Sequence, residues 1–465
     1  MVPNPIPASL ATGAPVGLIQ ELLDHLRRAR LHRGGFLANV LAVITGTGLA
    51  QVLSVCFAPV LSRLYGPGEF GQYGSFLSVA GVLSAGITLQ FSEALMLPHR
   101  DEEAASLFSA ATGSALVLTA AFVLSALLLP SWWMALVKAP QLAGWLWLIP
   151  VAALVAGLNQ VLIAWCARRK AFKRAAATQV ARSLTANSAQ TAVGAAGWGT
   201  GGLIGGALLG DLLANLGLFF WVVRHDADVL RAGTTREQIR VACREHKDFA
   251  LYSTPQSLMN AISQGAPVIL LIHYFGVATG GLYAFGIRVL ELPMNFILSS
   301  LRPVLFQKLS EVNNSGGNLR LLFAKTTALL LALSLPPALV GFAFAPWAFT
   351  LVFGKEWTVA GEYARWLLIW LVPGFCNLPA ALVGRILRQQ RNLLFFDLGL
   401  LICRVSVLLV GGIYLTPLQT VVSFSLVGAL FNTALILFMW RLVVCRTHAS
   451  GATLRYSHPA ASPTP

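Results

Sequence analysis

The sequence predicts an all-α integral membrane protein with about 12 transmembrane helices in two parallel six-helix halves. Three observations carry this expectation. The chain is mostly apolar, its loops alternate between basic and non-basic, and a short motif from the first half recurs in the second.

Of the 465 residues, 56% are hydrophobic and 11% are charged. A soluble domain carries roughly 25% charged residues, so most of this chain does not face water. A helical span needs about 20 mostly apolar residues. Twelve stretches qualify, at 36–62, 70–97, 106–130, 143–165, 176–197, 201–223, 249–274, 279–301, 321–345, 362–384, 393–413 and 417–440.

The net charge is +15. Its placement points to membrane orientation and away from a nucleic-acid partner. Basic residues follow span four (Arg168, Arg169, Lys170, Lys173, Arg174) and span six (Arg224, Arg231, Arg236, Arg240, Arg244, Lys247). They recur after span eight (Arg302, Lys308, Arg320), after span ten (Arg385, Arg388, Arg391) and in the tail (Arg441, Arg446, Arg455). The loops after spans five, seven and eleven hold no Lys or Arg, and only Arg63, Lys138 and Lys355 fall in loops assigned to the outside. A positive-inside bias produces this pattern when both termini are cytoplasmic.

The repeat sets the two halves. Gly66, Gly71 and Tyr73 lie in GPGEFGQY after span one; Gly276, Gly281 and Tyr283 lie in GVATGGLY after span seven, each 210 residues on. Glycines here allow a tight turn and close helix packing. Six spans per half give both halves the same orientation. Transporters built from two repeats bind between them and rock one against the other. The expected organisation is a cytoplasmic tail at 1–35, read as a short interfacial helix or a disordered basic segment, then an N-terminal lobe at 36–223. A cytoplasmic linker at 224–248, a C-terminal lobe at 249–440 and a cytoplasmic tail at 441–465 follow.

Ionisable residues at membrane depth are the candidate functional groups, because each costs roughly 2.5–3.5 kcal/mol at a helix centre on insertion scales. Arg182, Asp211, Arg288, Glu291, Asp397 and Arg404 lie deep; Glu93 lies near a span end. Arg288 and Glu291 are three apart and Asp397 and Arg404 seven apart, each pair on one helical face. One reading makes these structural ion pairs. The other makes a hydrated cationic cavity between the halves, in which arginine binds phosphate oxygens bidentately. On that reading Arg182, Arg288 and Arg404 contact substrate, and Asp211, Glu291, Asp397 and Glu93 are coupling or ion-pair candidates.

No Walker loop, HExxH or GxSxG occurs. The expectation is therefore a protein without a catalytic set, cofactor or metal. The six cysteines are dispersed with no CxxC pair and read as small apolar residues. Trp347 and Trp357 read as interface anchors.

The segment SRLYGPGEFGQYGSF, Ser62 to Phe76, resembles the polysaccharide transporters of the multidrug/oligosaccharidyl-lipid/polysaccharide (MOP) superfamily, and within it the Wzx-type oligosaccharide flippases. EALMLPHRDEEAASLF from Glu93, DFALYSTPQSLMNAISQGAPVILL from Asp248 and GLYAFGIRVLELPMNFI from Gly281 resemble further segments of that family. The similarity runs from about 36 to 440; Phe91 and Ser92 stand where members often carry an arginine before the Glu93 position. The resemblance implies a two-lobed, MATE-like bundle. It also implies transport of an undecaprenyl-pyrophosphate-linked oligosaccharide across a bacterial inner membrane for O-antigen or exopolysaccharide synthesis. Membrane lipids, the polymerase and the chain-length regulator of the same pathway are the implied partners. Three alternatives compete with it: a cation-coupled small-molecule exporter on the same fold, a membrane polysaccharide polymerase or ligase, and a scaffold for the assembly complex.

Overall fold

The computed structural model describes residues 36–130, 133, 144–233, 235–315, 317–387 and 389–456. The N-terminal tail, with its interfacial-helix reading, and Lys138 lie outside these residues. Every regular element among the described residues is helical. Twelve are long: α1 (Phe36–Leu64), α2 (Pro67–Ile87), α4 (Asp101–Leu128), α5 (Leu148–Arg168), α6 (Phe172–Ala195), α7 (Thr200–Ala232), α9 (Thr254–Phe275), α10 (Val277–Asn314), α11 (Leu319–Phe353), α12 (Thr358–Cys376), α14 (Gln390–Tyr414) and α15 (Pro417–Tyr456). Three are short: α3 (Phe91–Ala94), α8 (Arg236–Glu245) and α13 (Leu378–Ile386). Among the described residues, ten stretches are long and apolar enough to cross a membrane, and α2 and α6 are the long helices outside that set.

Local chemistry explains where the helices break. Pro67 opens α2, its missing N–H being one that a first turn leaves unpaired, and the Gly66 N–H donates to Glu69 Oε2 at 2.6 Å. The second expected span, 70–97, does not run through. Leu89 and Gln90 adopt φ of 49° and 54°, and Gln90 Nε2 donates to the Ala85 carbonyl. Glu93 therefore sits exposed on the short α3. The tenth expected span breaks at Asn377, where Pro379 in the first turn of α13 has no N–H to carry the ladder of α12 onward. Other helices outrun their spans. The 38 residues of α10 extend about 57 Å at 1.5 Å per residue, more than a hydrocarbon core of about 30 Å requires.

The helices form two sets with the same packing scheme. In the first, α6 packs against α1 and α7, and α5 packs against α2, α4 and α7. In the second, α14 packs against α9 and α15, and α12 packs against α10, α11 and α15. A buried amide pair marks the equivalence. Asn159 Nδ2 of α5 donates to Asn215 Oδ1 of α7 at 2.7 Å; Asn377, at the end of α12, donates to Asn432 Oδ1 of α15 at 2.9 Å. Asn215 and Asn432 each donate in turn to a backbone carbonyl, of Val155 and Gly428.

The sets meet where α2 lies on α9 and α10, and α1 on α10 and α11. The repeated glycines sit in this seam. A Cβ on Gly71 would collide with the Val277 carbonyl, and one on Gly281 with the Pro67 carbonyl. Val277 is itself 210 residues beyond Pro67, so the two contacts are mirror copies under the repeat. Gly276 adopts φ of 92°, a conformation that favours glycine. Beside the seam, Phe70, Phe285, Phe353 and Trp357 form an aromatic cluster, in which Phe70 meets Phe285 and Trp357 edge-on, Phe353 meets Phe285 edge-on, and Phe285 lies tilted against Trp357. Trp357 Nε1 donates to the Ser62 carbonyl at 2.9 Å, and Ser62 Oγ to the Phe353 carbonyl at 3.3 Å. Trp357 is thus a buried link between the sets, not an interface anchor, whereas Trp347 is exposed. Large apolar side chains elsewhere, such as Val117, Leu127 and Leu430, point outward, as a helix surface in lipid requires.

Candidate functional site: a polar cavity beside the seam

A cavity of about 440 Å³ is walled by α1, α2, α6, α7 and α10. Its composition explains why α6 is so weakly apolar. Gln179, Arg182, Ser183, Asn187 and Gln190 all line it from that helix, and Gln51 and Ser54 line it from α1. These groups hold one another in place. Ser54 and Ser183 share a hydrogen bond at 3.1 Å, and Asn187 Nδ2 donates to the Ser183 carbonyl at 2.7 Å. Gln190 Nε2 donates to the Leu203 carbonyl, and Tyr65 Oη donates to the Gln190 carbonyl. Gln51 Oε1 is buried with no hydrogen-bond partner among the described residues.

Two of the three candidate arginines line this cavity. Arg182 forms an ion pair with Asp211 across α6 and α7. Arg288 reaches in from α10 with its guanidinium 5.9 Å from the centre of the Tyr73 ring. No carboxylate lies within salt-bridge distance of Arg288 among the described residues. The ion pairs considered from sequence spacing, Arg288 with Glu291 and Asp397 with Arg404, do not form among these residues; the pair that does form joins neighbouring helices. The repeat residue Tyr73 lines the cavity, while Gly66, Gly71, Gly276 and Gly281 shape the seam beside it. Tyr283 is buried in the second set against Phe424. Asp397 is exposed on α14, and Glu291 is half-buried on α10. Arg404 lies away from the cavity, buried between Trp370 and Phe424.

A second polar cluster braces the C-terminal end of α5. Arg168 donates to the carbonyls of Leu95 and Pro98 at 2.9 Å each and pairs with Asp101. Arg169 bridges Asp101 and the buried Asp226 of α7, whose other oxygen accepts from Trp165 Nε1 at 3.0 Å. By their place in the sequence these arginines are orientation charges; in the fold they also tie α4, α5 and α7 together. Among the described residues no group of His, Cys, Asp and Glu is arranged to hold a metal ion.

What the cavity offers is a set of amides and hydroxyls that match sugar hydroxyls, beside one uncommitted guanidinium and one pre-paired one. Residues 60–362 match the model of a family described as polysaccharide biosynthesis protein. This chain belongs to that family. No curated protein sequence matches it. Solved structures of the MOP superfamily share its fold. A multidrug resistance MATE family transporter in an inward-facing conformation aligns with TM-score 0.72 at 16% identity, over 88% of this chain and 99% of that one. The lipid II flippase MurJ in an inward closed conformation aligns with TM-score 0.70 at 11% identity, over 91% and 94%. A MATE transporter in an outward-facing conformation aligns with TM-score 0.58 at 13% identity, over 88% and 96%. This member of the polysaccharide biosynthesis family is thus a multi-pass membrane protein with the two-lobed MOP fold.

Proposed function

We propose that the protein is a lipid-linked oligosaccharide flippase. It translocates undecaprenyl-pyrophosphate-linked repeat units across the bacterial inner membrane for O-antigen or exopolysaccharide assembly, by alternating access between lobes 36–223 and 249–440. One observation carries the reading: a cavity lined by amides, hydroxyls and two arginines inside a bundle of the polysaccharide biosynthesis family. Arg288, with no carboxylate at salt-bridge distance, takes the pyrophosphate through charge-assisted hydrogen bonds. Arg182 joins it when substrate competes with Asp211. Gln51, Ser54, Gln179 and Asn187 meet the sugar, and the polyprenyl tail stays in the bilayer. Glu291 and Asp397 remain the carboxylates for coupling to an ion. The better fit to the inward-facing than to the outward-facing MATE structure supports reading the Phe70–Trp357 cluster as the external seal. Both termini are then cytoplasmic, and the polymerase and chain-length regulator act on the opposite side. The reading assigns the chain transport and no bond-making chemistry.

The test is where the lipid-linked sugar accumulates when the protein is depleted. Intact spheroplasts would be probed from outside with an impermeant sugar-modifying reagent. The expected result is an intermediate protected until the membrane is broken. An intermediate that builds up already exposed would move the protein to a later step and sink the flippase reading.

A further inference from the structure

The second lobe holds a cation that the cavity does not use. Arg404, on α14, is 5% exposed. Its Cζ lies 4.4 Å from the centre of the Trp370 ring and 4.5 Å from that of Phe424. Among the described residues Arg404 Nε and Nη2 are buried without a hydrogen-bond partner, and so is Trp370 Nε1. Gly428 of α15 makes the room, since a Cβ there would come within 2.5 Å of Arg404 Nη2. Tyr283, packed edge-on to Phe424 at 6.3 Å, closes the layer from α10. Among the described residues no carboxylate lies within salt-bridge distance of Arg404.

These orphan atoms are all donors. A guanidinium stays charged at any depth. The aromatic faces offset part of that charge but leave N–H groups lacking an acceptor, and buried polar groups find partners. We propose that the second lobe carries a binding site for a halide-sized monovalent anion, chloride in a cell, held by Arg404 Nε and Nη2 with Trp370 Nε1. One negative charge neutralises one guanidinium. Phosphate or sulfate would bring more charge into surroundings of Trp370, Phe424 and Tyr283, with more oxygens than three donors satisfy. Chloride is also less strongly hydrated than phosphate or sulfate, so its transfer into an apolar layer costs less than theirs. The bound anion lets α12, α14 and α15 pack around a neutral pair. This site is independent of the flippase reading.

The test is thermal unfolding of the full chain in detergent, with chloride replacing gluconate at constant ionic strength. The melting temperature should rise by a few degrees and saturate, as for any ligand that binds only the native state. Bromide should act like chloride, and sulfate should not. Arg404→Met should abolish the dependence. Trp370→Phe keeps a ring but removes the N–H, and should move the chloride midpoint about fivefold higher. Arg288→Met should leave the dependence intact. The proposal is overturned by a chloride-independent wild type, by sulfate acting as chloride does, or by dependence that survives Arg404→Met. Dependence lost in Arg288→Met and kept in Arg404→Met would move the halide to the first-lobe cavity and reject the site here. If Arg404→Met does not fold, Trp370→Phe decides, and an unchanged midpoint rejects the site.

Discussion

The fifth long helix of each lobe carries a buried-depth arginine, and the two lobes treat it in opposite ways. On α6, Arg182 faces an amide- and hydroxyl-lined cavity and is met by Asp211 from the next helix. On α14, Arg404 is enclosed between Trp370 and Phe424, with two of its nitrogens unpaired among the described residues. The scaffold around them is common to both, as the Asn159–Asn215 and Asn377–Asn432 pairs attest. The difference teaches that a duplicated bundle can keep its packing polar groups while treating its arginines differently: one lobe opens its arginine to a polar cavity, the other encloses it between aromatic rings.

This comparison can be broken by experiment. The largest effect is expected from Arg288→Ala, which removes the uncommitted cavity cation. Losing a charge-assisted contact of about 3 kcal/mol corresponds to roughly 100-fold less transport, read as loss of complementation at unchanged membrane protein level. Normal complementation would show that the cavity cations do not touch substrate. Next is Gly281→Val, which drives a side chain into the Pro67 carbonyl across the seam. Overpacking costs typically about 1–3 kcal/mol, and here it should lower the melting temperature while Gly205→Val, with open space beside it, does not.

Asn215→Leu and Asn432→Leu test the shared scaffold. Each strands a buried amide partner, at about 1–3 kcal/mol, so the two melting temperatures should fall together. A large loss in one lobe and none in the other would mean that the pairs are not equivalent. The smallest effect belongs to Asp211→Asn. The pair is partly exposed, so stability should change by less than about 1 kcal/mol. Binding of a short-chain pyrophosphate-sugar analogue should tighten about threefold as Arg182 is released. Weaker binding would show that Asp211 positions Arg182 for substrate and does not compete with it.

Much of the fold is legible in the sequence because it follows from one-dimensional rules. Apolar run length sets the helices, and loop arginines set their alternation. The motif repeated at an offset of 210 residues points to Gly71 and Gly281, which do meet across the seam. Legibility fails where a neighbour decides. Span two breaks at Leu89 and Gln90, two residues whose left-handed backbone no local pattern announces. Arg168 and Arg169 look like orientation charges until Leu95, Pro98, Asp101 and Asp226 are brought beside them. Trp357 looks like an interface anchor until Ser62 arrives from the other lobe. The polar residues of α6 carried a signal in the sequence, since a span holding Gln179, Ser183, Asn187 and Gln190 is poorly suited to face lipid.

The sequence by itself determined that this chain is a multi-pass helical bundle with a doubled plan, because solvation of a helix in lipid depends on its own composition. Only the tertiary structure decided which arginine faces a cavity and which is enclosed. Arg182 and Arg404 each stand near the middle of the fifth long helix of their lobe. What separates them is supplied by other helices, Asp211 beside one and Trp370 and Phe424 around the other, and such contacts do not follow from spacing along a single strand of chain.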